Sequence, residues 1–122
     1  MYVSWRLCLL LAGVALVGCS APAPPVPGRR DTGKGEAIYR RGSCTGCHGS
    51  YRQGTTTGPA LVDLDRHWHE DALVEFLRNP RAVRAVNDRV ARQAEQYKTD
   101  MPGLPGADDA TLRELARYLL VD

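Results

Sequence analysis

The sequence predicts an all-α domain of several short helices around a small core, and two observations predict it. Apolar residues recur at three- and four-residue spacing in successive segments, and no convincing alternating strand run interrupts them. The segments end at Gly42 and at Asn79-Pro80, which is the punctuation of helices.

The first helix is expected over Gly33 to Arg41, where Ala37, Ile38 and Tyr39 precede Gly42. A second runs from Glu70 to Arg78, with Leu73, Phe76 and Leu77 at i, i+3 and i+4, and stops at Asn79-Pro80. Between Arg81 and Lys98, Val83, Val86, Val90, Ala94 and Tyr97 form one stripe with arginines elsewhere, so a single basic helix is expected there. The last helix has Asp108 as N-cap, Asp109 in the first turn, and Leu112, Leu115, Ala116 and Leu119 on one face.

Upstream of this domain, 31–122, the composition changes twice. Leu7 to Val17 is an apolar run behind Arg6, of signal-peptide length and too short to span a bilayer. Residues 1–18 therefore read as an export signal that takes Cys8 with it. The four residues Leu16 to Cys19, "LVGC", resemble the lipobox of bacterial lipoproteins. That resemblance implies lipid on Cys19, with ordinary cleavage near Cys19-Ser20-Ala21 as the alternative. Ser20 in place of an aspartate behind the cysteine favours a periplasm-facing protein of the outer membrane. Residues 19–30 carry Pro22, Pro24, Pro25 and Pro27, which fix φ and remove donors, so the segment reads as an extended tether. At about 3.1 Å per residue its length is roughly 30 to 35 Å.

The formal net charge of +2 excludes little by itself, but no basic patch has the density of a nucleic-acid binder. Arg29 to Arg52 and Arg78 to Lys98 are basic, whereas Gln53 to Leu77 and Thr99 to Asp122 are acidic. A domain of about 90 residues is small enough to want a covalent or metal staple.

"GSCTGCHGS", Gly42 to Ser50, offers one. Cys-x-x-Cys-His is the attachment signature of c-type haem. The chemistry needs that order: two thiols add to the two vinyl groups of the porphyrin, and the next residue brings its imidazole to the iron. Cys44 and Cys47 would form the thioethers and His48 the proximal ligand. A thiol oxidoreductase reading lacks its βαβ setting, and a structural zinc site would need His67 or His69 as fourth ligand.

From this point the chain resembles the class I monohaem cytochromes c along the whole domain. "GEAIY" is similar to the family's first helix, with Gly35 and Tyr39 where that helix meets the last. "TGPALVDL" contains Gly58-Pro59-x-Leu61, similar to the loop whose proline carbonyl accepts a hydrogen bond from the proximal imidazole. The resemblance therefore implies that Pro59 does so for His48. "DMPGLP" resembles the distal loop and implicates Met101 as the sixth ligand, with His67 and His69 as rivals. "LRELARYLL" resembles the closing helix, with Leu115 and Tyr118 packed on the first. The implied fold is a small cytochrome c built around one covalent haem.

The implied function is a single-electron carrier, not an enzyme, working between periplasmic redox donors and acceptors. Histidine with methionine leaves the iron no open position and raises its potential relative to two histidines. Arg40, Arg41 and Arg52 are expected to guide an acidic partner. The basic stretch before Met101 is longer than in the smallest members of the family, and would be a cover over the haem or a docking element. Two alternatives stay open: a haem subunit of one particular dehydrogenase or reductase, and a haem enzyme or gas sensor with an open sixth position.

Overall fold

The computed structural model describes residues 33–121, and within them the fold is helical, with no strand. The export signal, Cys19 and the tether predicted from the sequence lie outside the described residues. Six short helices follow in order: α1 (Gly33–Arg41), α2 (Cys44–His48), α3 (Glu70–Arg78), α4 (Pro80–Val86), α5 (Asp88–Ala94) and α6 (Asp109–Leu119). A single 3-10 turn at Leu64–Arg66 lies between α2 and α3.

α1, α3 and α6 form the core, because these helices carry a continuous apolar face. Tyr39, Leu112, Leu115 and Val74 are its largest fully buried side chains. α1 crosses α6 closely at Gly35, where a Cβ would collide with the carbonyl of Glu114 and the Cβ of Tyr118. The Tyr39 and Tyr118 rings meet beside that crossing, 5.7 Å between centroids.

Along their other edge α3 and α6 are joined by charge. Arg113 reaches Asp71 at 2.7 Å and Glu70 at 3.3 Å, and Arg117 reaches Glu70 at 3.1 Å. Such pairs at the surface are screened by water and salt and contribute little. Burial at about 25 cal/mol per Å² of apolar surface therefore dominates, through Leu73, Val74 and Leu77 against Leu112, Leu115 and Leu119.

The expected single helix from Arg81 to Lys98 is instead two. α4 begins one residue earlier, with Pro80 at its first position, and ends at Val86; α5 begins at Asp88 and ends at Ala94. Asn87 stands between them in extended conformation (φ −130°, ψ 102°), and its side chain accepts from the Val90 N–H at 3.2 Å. An asparagine can offer the backbone this alternative to helix, and the break leaves Val86, at the end of α4, exposed, so the expected stripe is not one continuous buried face. Asn79 caps α4 in the same way, accepting from the Ala82 N–H at 3.1 Å. Among the described residues no helix is long and apolar enough to cross a membrane.

Candidate functional site

One turn of helix carries the chemistry. In α2, Cys44, Cys47 and His48 stand at i, i+3 and i+4, which puts the three side chains on one face. The turn is held at both ends. Gly42 donates back to Ile38 O at 2.9 Å, closing α1 just before it. At its far end Gly49 has φ +80°, and the His48 and Cys47 carbonyls are taken by the Gly54 N–H (2.8 Å) and the Thr55 hydroxyl (2.7 Å).

His48 is buried, and its Nδ1 lies 2.8 Å from Pro59 O. A carbonyl only accepts, so Nδ1 carries the proton and Nε2 keeps its lone pair. The Pro59 loop comes this close because Gly58 has no Cβ; one there would stand 2.9 Å from Cys47 O. Tyr39, on α1, donates its phenol to Gly49 O at 2.6 Å, and burial pushes its pKa up to about 12. Cys44 and Cys47 are free thiols, both half-buried, and burial raises the pKa of Cys44.

Both thiols and His48 line a cavity that is overwhelmingly apolar. Its empty volume, with the open solvent at its mouth included, is about 1330 Å³. α3 contributes Leu73, Phe76 and Leu77, and α6 contributes Leu115 and Leu119. α5 lines the cavity with Val90, Gln93 and Ala94, so the second half of the basic stretch lies against the site. Met101 is half-buried and lines the same cavity. His67 and His69 are exposed and are not among its lining residues. No group of three or more His, Cys, Asp or Glu side chains converges to hold a metal ion among the described residues.

Trp68 forms part of the wall, and Arg89 lies over its ring, 4.9 Å from the centroid. The Nη2 of Arg89 is buried with no hydrogen-bond partner. An unpaired cation is costly in such a place unless an anion accompanies it. Paired thiols, an imidazole with a free Nε2, a thioether, apolar walls and a nearby unpaired guanidinium together fit an iron porphyrin with carboxylate arms.

The residues predicted from sequence, Cys44, Cys47, His48, Pro59, Leu61 and Met101, all meet at this cavity. The arginines expected to steer a partner are differently engaged. Arg40 pairs with Glu36 at 2.8 Å, and Arg41 is exposed. Arg52 is turned toward the end of α6, where its Nη1 reaches Tyr118 O and Leu119 O at 3.4 Å and Val121 O at 2.9 Å. Its φ is +62°, and its own carbonyl accepts from Leu61 N at 2.8 Å, so it joins the Pro59 loop to the closing helix. Sequence reasoning missed this clamp, and also Gln93 and Tyr97 as polar lining; Tyr97 was legible only as part of an apolar stripe.

Residues 30–119 match the family described as "Cytochrome C oxidase, cbb3-type, subunit III". No curated protein and no solved structure shows significant similarity to the chain.

Proposed function

The chain belongs to this family of c-type cytochrome domains, which carry covalently attached haem c, and from that membership we propose that it is a membrane-tethered single-electron carrier of the class I type. The observation that carries the reading is the meeting of Cys44, Cys47, His48 and Met101 on one apolar cavity. Cys44 and Cys47 would hold the haem as thioethers, and His48 and Met101 would ligate its iron. When bound, the group supplies a one-electron iron couple whose potential this ligand pair raises.

The other residues tune and protect that couple. The Pro59 carbonyl holds the His48 Nδ1 proton, which fixes the ring and raises the basicity of Nε2. Leu61, with the α3 and α6 leucines, excludes water, which lowers the local dielectric and favours the form of lower charge. Arg89 places positive charge beside the Trp68 wall, where it would balance carboxylate.

The N-terminal stretch supports a lipid on Cys19 and a Pro-rich tether, so the domain would work at a bacterial membrane facing the periplasm. A tether of roughly 30 to 35 Å keeps a domain near its partners at high effective concentration. The family's description favours a second reading, in which the domain is a haem subunit of a respiratory complex. Co-purification of the lipidated chain with an oxidoreductase in mild detergent would support that reading.

Carbon monoxide tests the carrier against an enzyme or gas sensor. The reduced wild-type protein is expected to refuse carbon monoxide, and Met101→Ala to bind it rapidly. Rapid binding by the wild type would overturn the carrier reading.

A further inference from the structure

Met101 sits on a strap fastened at one end to the corner where α3 gives way to α4 and at the other to the last turn of α4. The corner exists because Pro80 has no N–H to continue α3 and opens α4 instead. Ending α3 there leaves carbonyls of its last turn without helical donors. The strap takes one of them: Leu104 N–H donates to Leu77 O at 2.8 Å.

Just before that bond, Gly103 lies flat against the corner. A Cβ on Gly103 would stand 2.6 Å from Arg78 O and 2.9 Å from the Pro80 ring carbon Cδ. Neither neighbour is the free end of a flexible side chain, so the strap itself would have to move. On the other side of Met101, Asp100 accepts from Arg84 of α4, Nη1 to Oδ1 2.6 Å. Met101 is thus bracketed one residue before by an ion pair to the last turn of α4 and two residues after by contacts to the α3–α4 corner.

We propose that the α3–α4 corner and α4 together position the Met101 thioether, with Gly103 and the Arg84–Asp100 pair as positioning residues. This rests on the reading of Met101 as an iron ligand. The two contacts differ in strength. An exposed ion pair is weak and screened by salt, whereas a backbone collision cannot be screened or relaxed by rotation.

The test is read on the mature, haem-loaded protein through the weak far-red band of sulfur on ferric iron, the midpoint potential, and the far-ultraviolet helix signal. Gly103→Ala is expected to lose most of the band and to lower the potential while the helix signal stays. Arg84→Gln is expected to keep the band in buffer but to lose it at lower denaturant concentration than the helix signal, with Arg84→Lys restoring the wild-type order. A Gly103→Ala protein with the wild-type band and potential would overturn the inference. Should that variant not mature, Arg84→Gln decides: loss of its band together with its helices, as in the wild type, also overturns it. A wild-type protein that has haem but no band would overturn the ligand reading, and this inference with it.

Discussion

At His48 the decisive contact is a single hydrogen bond, Nδ1 to Pro59 O at 2.8 Å, and much of the surrounding structure serves to keep that carbonyl in place. Gly58 permits the approach, Gly54 and Thr55 hold the end of the α2 turn, and Arg52 ties the loop to α6. The motif and its proline were legible in sequence because they are local and their order is dictated by chemistry. The Arg52 clamp was not, since it joins residues far apart in the chain and depends on a left-handed backbone (φ +62°) that the residue type does not announce. Tyr39 was legible as a core position but not as a donor. Its hydroxyl bonds Gly49 O, which also accepts from Arg52 N at 3.2 Å, so Tyr39→Phe leaves that carbonyl partly satisfied. The expected loss is about 1 kcal/mol, checked by denaturant unfolding of the haem-loaded variant.

Among the elements, α3 and α6 followed from periodicity because each buries one face against a neighbour, and α1 from the apolar residues that precede Gly42. The α4–α5 pair did not, because the period of Val83, Val86 and Val90 in the sequence continues past Asn87, whereas the helix breaks there and leaves Val86 exposed. Asn87→Ala removes the cap of α5 and is expected to destabilise the domain by about 0.5–2 kcal/mol. Since α5 lines the cavity, the same substitution should make the haem easier to reach, read as faster reduction by a small reagent. A variant with unchanged stability and reduction rate would show that α5 does not depend on its cap. The seam between α3 and α6 carries a pH signature. The hydrogen bond from Arg117, with that from Arg113, holds the Glu70 carboxyl below its usual range. A lowered folded pKa gives stability that is present above the unfolded value and is lost as pH falls through the folded one. Wild type is therefore expected to lose stability in acid more than Glu70→Gln does, by a margin that shrinks with added salt because the group is partly exposed.

For the whole molecule the relevant feature is the mouth of the cavity. The exposed lining residues are Ser43, Thr57, Ala60, Thr99, Asp100 and Pro102, and the one charge among them, Asp100, is paired with Arg84. A mouth without free charge steers partners weakly, whatever the basic and acidic blocks of the sequence imply. Electron exchange with an anionic iron chelate and with a cationic cobalt complex is expected to change little between about 10 mM and about 0.3 M salt. Steep slopes of opposite sign for the two reagents would restore the steering role expected of Arg40 and Arg41. Fold class and cofactor were legible at this scale because one pentapeptide and three amphipathic helices demand a common centre. The measurement that bears most directly on the account is the absorption spectrum of the oxidised domain, matured in the periplasm and extended into the far red. The account predicts covalent haem with the weak band of sulfur on ferric iron; covalent haem without that band, or no haem at all, would contradict it.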